Sequence, residues 1–142
     1  MPSPGHITAL ILAGGFGTRV KDLLNDLPKP MAPVNGKPFI EWIVRWLKAQ
    51  SIRDVIISTG YRAEVLAEYF KALPVPEMNV QCVTEPEPMG TGGGLAFAAN
   101  ACETQPDAWL VLNGDSLIFT NINSVYGLSP FVDYKKLWDE NN

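Results

Sequence analysis

The residue types that could do chemistry are concentrated first in one glycine-rich stretch. An apolar run ends abruptly at Gly14, Gly15 and Gly17, and two cations, Arg19 and Lys29, follow it. Glycines let a backbone approach a ligand without a Cβ in the way. Backbone N–H groups at the carboxyl end of a buried strand, joined by two cations, suit a polyanion. The stretch therefore predicts a nucleotide phosphate site, while a plain strand-to-loop turn stays open as a reading of the glycines alone.

This stretch differs from the two commoner phosphate-binding loops. Residues 14–19 read GGFGTR, which lacks the G-x-G-x-x-G spacing of a dinucleotide fold. The stretch also lacks the Gly-Lys-Ser/Thr ending of a P-loop. Lys29 is held between Pro28 and Pro30. Together with Arg19, this proline-flanked lysine favours a functional site over a turn.

Two further places carry candidate residues. Residues 85–94 read EPEPMGTGGG, beginning with Glu85 and including Gly90 and Thr91. Asp115 closes the segment LNGD, directly after an apolar run. Each has a structural alternative, because Pro/Gly-rich segments are often surface turns and an Asp after a strand is often a turn or cap residue.

The apolar patterns predict strands that alternate with helices. We expect strands at Ile7–Ala13, 55–59, Asn79–Thr84 and 109–112, and helices at 38–50, at 62–73 and after residue 94. In the first helix Glu41 and Arg45 are expected to pair on the side opposite the apolar stripe, and Cys102 is expected on the last helix. Alternation of this kind indicates βαβ units and a parallel sheet. The three candidate places then all follow strand ends on one edge of the sheet.

Composition narrows the class of protein. With 142 residues, a hydrophobic fraction of 46% and a charged fraction of 18%, the chain fits one soluble globular domain. The net charge of −4 gives no indication of the basic surface that nucleic-acid-binding proteins typically have. No segment has the length of a membrane span or the pattern of a signal peptide, and Cys82 and Cys102 lack metal-ligand spacing, so a cytoplasmic location is expected. His6, the single histidine, is predicted to have no catalytic role.

Several motifs in order resemble one family, the sugar-phosphate nucleotidylyltransferases (NDP-sugar pyrophosphorylases). The family signature is similar to LAGGFGTR at residues 12–19 and PKP at residues 28–30. Residues 31–38, MAPVNGKP, resemble the branch that transfers guanylyl groups to D-glycero-D-manno-heptose 1-phosphate. The resemblance implies an α/β fold: a Rossmann-like three-layer sandwich with a mostly parallel sheet. It implies transfer of a nucleotidyl group from a nucleoside triphosphate, with GTP favoured, to a sugar 1-phosphate.

The resemblance also implies roles for individual residues. Arg19 would contact the leaving β- and γ-phosphates, Lys29 the α-phosphate or the sugar phosphate, and Asp115 would bind Mg²⁺. Glu85 would accept hydrogen bonds from the base, which favours guanine because its N1–H and N2–H₂ are neighbouring donors. The implied nucleotide-binding residues are Leu12, Ala13, Gly14, Gly15, Gly17, Thr18, Glu85, Gly90 and Thr91.

The resemblance covers residues 1–117 and leaves residues 118–142 unmatched. Ser129 and Pro130 predict a short C-terminal helix in that tail. Family members are expected to continue further, with a second metal-binding Asp and much of the sugar pocket. A nucleotide-binding module with little or no activity is therefore an alternative to an enzyme, and a ligand-free structural domain is a third. The identity of the sugar stays open, as does pairing of two copies through a bare edge strand.

Overall fold

Apolar, β-branched runs form the strands, and amphipathic segments form the helices that cover them. The computed structural model describes residues 6–15, 26–117 and 120–122. Within these residues the elements are β1 Ile7–Ala13, β2 Pro33–Val34, β3 Lys37–Pro38, α1 Phe39–Ala49, β4 Asp54–Thr59, α2 Ala63–Ala72, β5 Asn79–Thr84, α3 Gly90–Asn100 and β6 Ala108–Asn113. A 3₁₀ turn, Lys29–Met31, precedes β2.

The main sheet has the strand order β5-β4-β1-β6, and all its described pairings are parallel. This confirms the predicted parallel sheet. The chain moves outward from β1 through β4 to β5 and then crosses to the other side of β1 to form β6. The strand order therefore reverses between β1 and β6. In open α/β sheets, ligands bind beyond the carboxyl ends of the strands at such a switch point.

The two faces of the sheet are covered by different helices. Ala9, Ile11 and Ala13 of β1 pack on one face with α1 and α2, in a cluster that includes Ile43 and Leu66. Leu10 of β1 packs on the opposite face with Ile56 and with Ala98 of α3. This alternation is the two-residue period of a strand buried on both sides. The result is a three-layer arrangement in which α3 alone covers the second face among the described elements.

The start of α3 differs from the prediction. Residues 85–94 were expected to form a turn-rich loop, but the helix already begins at Gly90. Gly90 has a φ of 71°, a conformation that a glycine adopts without the steric cost of a Cβ. Burial of the Leu95 and Ala98 side of α3 against the sheet outweighs the low helix propensity of four glycines. The helix ends at Asn100, so the expected helical position of Cys102 is wrong.

Two details of α1 also differ from the prediction. Pro38 lies in β3 rather than in the first helical turn, and it pairs with Pro33 in a small antiparallel ladder. Glu41 was expected on the solvent side, but only 4% of it is exposed. It nevertheless pairs with Arg45 at 2.8 Å as predicted. The Tyr69 hydroxyl of α2 donates a second hydrogen bond to Glu41, which makes its burial tolerable.

No helix within the described ranges is long and apolar enough to cross a membrane.

Candidate functional site

A cleft of about 300 Å³ lies at the carboxyl edge of the sheet, at the switch point between β1 and β6. Its walls come from the ends of β1 and β6, from the segment after β5 and from the start of α3. The lining residues are Leu12, Gly14, Gly15, Glu85, Pro88, Met89, Gly90, Thr91 and Asn113. Three distant segments of the chain therefore meet at one place, as the parallel topology predicted.

Most of the predicted nucleotide-binding residues lie in the walls of this cleft. The six that line it are Leu12, Gly14, Gly15, Glu85, Gly90 and Thr91. Ala13 instead packs in the core beneath the cleft, with 6% of it exposed. Gly17, Thr18 and Arg19 lie outside the described residues. Their binding roles stay predictions.

Lys29 and Asp115 form an ion pair next to the cleft. Lys29 Nζ donates to Asp115 Oδ2 at 3.1 Å. The hydrogen bond from Lys29 is the largest influence that holds the pKa of Asp115 below its usual range, so this carboxylate is charged at neutral pH. Both side chains stay accessible, with 46% and 45% exposed. A cation and an anion are thus available at one rim of the cleft.

The backbone fixes both members of this pair. Pro28 and Pro30 are buried on either side of Lys29, so the 3₁₀ turn is anchored while the lysine side chain is free to extend. On the other side, the Gly114 N–H donates to the Leu12 carbonyl at 2.9 Å. A Cβ on Gly114 would lie 3.1 Å from that carbonyl oxygen, which explains why a glycine precedes Asp115.

Glu85, in the wall of the cleft, is held by a hydrogen bond and by two close glycines. The Ser58 hydroxyl donates to Glu85 Oε1 at 2.9 Å, and the Met89 N–H lies 3.4 Å from Oε2. A Cβ added to Gly14 or Gly94 would lie 2.6 Å or 2.5 Å from Oε1. The two glycines are therefore required by the close approach of this carboxylate, a role that the sequence pattern did not indicate.

The residues fit a magnesium ion only if the substrate supplies further ligands. No group of three or more His, Cys, Asp or Glu side chains among the described residues could hold a metal ion. Asp115 offers one accessible, ionised carboxylate. Mg²⁺ is commonly bound by one or two carboxylates together with substrate phosphates and water. The donor set is consistent with that mode of binding.

Three contributors to this region were missed in the sequence. Ser58 had no local signal, because it is a hydroxyl within an apolar strand, 27 residues before Glu85. Tyr61 and Arg62 both donate to the Asp26 carboxylate, with Arg62 Nη1 at 3.0 Å from Oδ2. Asp26 lies three residues before Lys29, so the turn after β4 anchors the segment that leads to the lysine. These hydrogen bonds join residues that are far apart in the chain, so no fixed spacing in the sequence predicts them.

His6 lies at the opposite edge of the sheet. Its Nε2 is 2.7 Å from Asp54 Oδ2, and the same carboxylate accepts a hydrogen bond from Asn79. These contacts join the amino-terminal ends of β1, β4 and β5. His6 thus has a structural role at this edge, and its lack of a catalytic role stays a prediction.

The chain that forms this cleft matches a known protein family over most of its length. The Nucleotidyl transferase family model matches residues 8–128. The chain belongs to the nucleotidyl transferase family. The fold agrees, because HddC from Yersinia pseudotuberculosis complexed with GMP-PN superposes with a TM-score of 0.73 and 34% identity. That match covers 87% of this nucleotidyl transferase chain and 54% of HddC.

Two curated proteins that are similar to this nucleotidyl transferase chain are named guanylyltransferases. The D-glycero-alpha-D-manno-heptose 1-phosphate guanylyltransferase of Campylobacter jejuni is 40% identical over 117 residues, which are 82% of this chain and 51% of the relative. The mannose-1-phosphate guanylyltransferase of Mycobacterium tuberculosis is 37% identical over 112 residues, which are 79% of this chain and 31% of the relative. The chain thus spans about half the length, or less, of these relatives.

Proposed function

We propose that this nucleotidyl transferase transfers a guanylyl group from GTP to a sugar 1-phosphate and releases pyrophosphate. The observation that carries the proposal is the meeting of Glu85 with the glycine-rich end of β1 in one cleft, beside the Lys29–Asp115 pair. Membership of the family supports the reaction class. The similarity to two guanylyltransferases supports the guanine base.

The chemistry requires alignment of two anions more than it requires proton transfer. A phosphate oxygen of the sugar 1-phosphate attacks the α-phosphorus, and the bond from that phosphorus to the α,β-bridging oxygen breaks. The nucleophile is already ionised at neutral pH, so no general base is needed. The leaving group is pyrophosphate. Lys29 would neutralise charge that builds up at the α-phosphate, the kind of preorganised electrostatic stabilisation that lowers such barriers.

We propose that Asp115 binds Mg²⁺ together with the phosphates of the nucleotide. Its lowered pKa and its exposure support this role. When bound, the ion would neutralise phosphate charge as a Lewis acid. Before the nucleotide arrives, Lys29 balances the same carboxylate at 3.1 Å. Arg19, which lies outside the described residues, stays the predicted contact of the leaving β- and γ-phosphates.

We propose that Glu85 selects the base. A carboxylate can accept two parallel hydrogen bonds, and guanine offers N1–H and N2–H₂ side by side. Adenine presents an acceptor at N1, which would face the carboxylate unfavourably. Uracil offers one donor at N3. The position of Glu85 in the cleft wall and the guanylyltransferase names of the relatives support this role.

The sugar that we favour is a heptose 1-phosphate. This choice rests on the similarity to the heptose 1-phosphate guanylyltransferase and on residues 31–38, which lead through β2 and β3 into α1. We further propose a cytoplasmic location, which the two free cysteines, Cys82 and Cys102, support.

A second candidate is a nucleotide-binding module with little or no turnover. The chain matches 51% of the heptose relative and 54% of HddC, so nucleotide binding and transfer by this chain are tested separately. In this case GTP would bind in the same cleft without transfer.

One assay series separates the two candidates. Pyrophosphate release is measured with Mg²⁺, with heptose 1-phosphate or mannose 1-phosphate, and with GTP, ATP, UTP or CTP. Release that requires GTP and a sugar phosphate supports the enzyme. Calorimetric binding of GTP without release supports the module. Absence of both release and binding would refute both candidates.

A further inference from the structure

Ser58 is a buried residue of β4 whose hydroxyl lies next to the cleft wall. Ser58 is fully buried, with 0% of it exposed. Its Oγ donates to Glu85 Oε1 at 2.9 Å. A buried hydroxyl in an apolar sheet is costly unless it is hydrogen-bonded, and the carboxylate of Glu85 provides that partner. The serine therefore makes its hydrogen bond with a residue of the cleft wall rather than with the sheet.

The walls around Glu85 leave its carboxylate little freedom on the Oε1 side. Added Cβ atoms on Gly14 and Gly94 would lie 2.6 Å and 2.5 Å from Oε1, well inside normal contact distance. The Cβ added to Gly94 would also lie 3.6 Å from Ser58 Oγ. One carboxylate oxygen is thus enclosed between two glycines and a serine, which sets the plane of the whole group.

The other oxygen has the weaker hydrogen bond, although a Cβ added to Gly14 would lie 3.2 Å from it. The Met89 N–H is 3.4 Å from Oε2, beyond the usual range for a strong N–H···O bond. Met89 itself is 38% exposed at the cleft. The carboxylate, which lies in the cleft wall, therefore has one oxygen with a short hydrogen bond and one oxygen with a long hydrogen bond.

We propose that Ser58 is a positioning residue for base selection: it fixes the plane of the Glu85 carboxylate so that the carboxylate accepts from the Watson–Crick edge of guanine. This rests on the proposed role of Glu85 in binding the base. Ser58 itself does not touch the nucleotide. Its distinguishing effect is expected on the preference for GTP over ATP, whereas the loss of stability from removing a buried hydroxyl should be shared with the neighbouring Thr59.

The test is calorimetric binding of GTP and of ATP, each with Mg²⁺, to the full chain and to four variants. Ser58→Ala removes the hydroxyl that contacts Glu85. Thr59→Val is the matched control, because Thr59 is the next residue of β4, is equally buried and donates instead to the Val83 carbonyl at 3.0 Å. Glu85→Ala removes the proposed base contact. The double variant Ser58→Ala/Glu85→Ala completes a double-mutant cycle.

We expect Ser58→Ala to reduce the GTP-over-ATP preference by about tenfold, the effect of roughly one hydrogen bond. Thr59→Val should leave that preference unchanged, with a similar loss in melting temperature. In the Glu85→Ala background, Ser58→Ala should have no further effect on the preference.

The outcomes separate this inference from the proposed function. If Glu85→Ala abolishes the GTP preference while Ser58→Ala leaves it intact, the role of Ser58 is wrong and that of Glu85 stands. If Glu85→Ala leaves the preference intact, both roles are wrong. Equal losses of preference in Ser58→Ala and Thr59→Val would assign the effect to general destabilisation and overturn the inference.

Discussion

Lys29 Nζ lies 3.1 Å from Asp115 Oδ2, although 86 positions separate the two residues in the chain. Each side chain is nearly half exposed, with values of 46% and 45%. Exposed ion pairs typically contribute about 0–1 kcal/mol to stability. The fold therefore has little need of this pair, and variants at either position should fold and report on the function of the cleft.

The first prediction concerns Asp115. In the unchanged chain, Mg²⁺ should strengthen GTP binding, because the ion would join the Asp115 carboxylate to the phosphates. Asp115→Asn should remove most of that Mg²⁺-dependent gain, about tenfold in Kd, while GTP binding without Mg²⁺ changes little. Calorimetry with and without Mg²⁺ measures both values.

Asp107→Asn is the control for this prediction. Asp107 lies just before β6, at the opposite end of that strand from Asp115, and accepts a hydrogen bond from the His6 N–H. It should retain the full Mg²⁺ effect. An Asp115→Asn chain that keeps the Mg²⁺ effect would exclude Asp115 as the metal ligand.

The second prediction concerns Lys29. Lys29→Met should weaken binding of GTP by about ten- to a hundredfold, because charge-assisted hydrogen bonds to phosphate contribute roughly 1.5–3 kcal/mol. Binding of guanosine, which has no phosphate, should change by less than about twofold by the same reasoning. Lys71→Met, at an exposed position in the last turn of α2, is the matched control. Equal losses for guanosine and GTP would contradict a phosphate-binding role for Lys29.

The third prediction compares two glycines of α3. A Cβ at Gly94 would lie 2.5 Å from Glu85 Oε1, whereas a Cβ at Gly92 meets nothing within 4 Å. Gly94→Ala should therefore displace Glu85, with a cost of about 1–3 kcal/mol from overpacking. Gly92→Ala should instead stabilise the protein by about 1 kcal/mol through its better helix propensity. Chemical denaturation measures both, and a neutral Gly94→Ala would show that the contact is not tight.

The sequence predicted the features that arise from local patterns, but it did not predict those that arise from contacts between residues far apart in the chain. The bounds of β1 and β5 were predicted as the structure has them. β1 is a nearly continuous apolar run, as expected of a strand buried on both faces. In β5, apolar and polar residues alternate over most of the strand, which is the two-residue period of a partly exposed strand. The prediction that the three candidate segments meet at one edge of the sheet followed from the parallel topology alone. These features depend on local patterns that repeat over several residues.

The features that the sequence did not predict depend on contacts between distant segments. The helical start at Gly90 opposes local propensity and is stabilised by packing of α3 on the sheet. Burial of Glu41 depends on the Tyr69 hydroxyl, which comes from another helix. The Ser58–Glu85 hydrogen bond joins the interior of one strand to the segment after the next strand. No spacing within a short window could indicate any of these three.

The fourth prediction is a pH dependence of stability that arises from Glu41 and Tyr69. Burial raises the pKa of Glu41, but hydrogen bonds from Tyr69 and Arg45 outweigh it, so the pKa lies below its ordinary value of 4.5. The corresponding stabilisation should be complete above pH 4.5 and should be lost as the pH falls through the folded-state pKa. Denaturation at a series of acid pH values should show this loss, and Glu41→Gln should lack it.

At alkaline pH, the Glu41–Tyr69 pair should lose its stabilising effect as the pH rises. Burial, together with the hydrogen bond to Glu41, raises the pKa of Tyr69 from 10.0 to about 12. The stabilisation should be complete below pH 10 and should fall as the pH rises from 10 to about 12, because the unfolded tyrosine ionises first. Tyr69→Phe should remove this alkaline fall, and an unchanged profile in that variant would contradict the assignment.

The central claim is that three distant segments form one guanine nucleotide site at the carboxyl edge of the sheet. The most direct measurement is the change in backbone amide NMR shifts when GTP and Mg²⁺ are added to the ¹⁵N-labelled chain. We expect the largest changes at Gly14, Glu85, Thr91 and Asp115, with His6 and other amides of the opposite edge unaffected. Changes centred on that opposite edge, or none at saturating GTP, would contradict it.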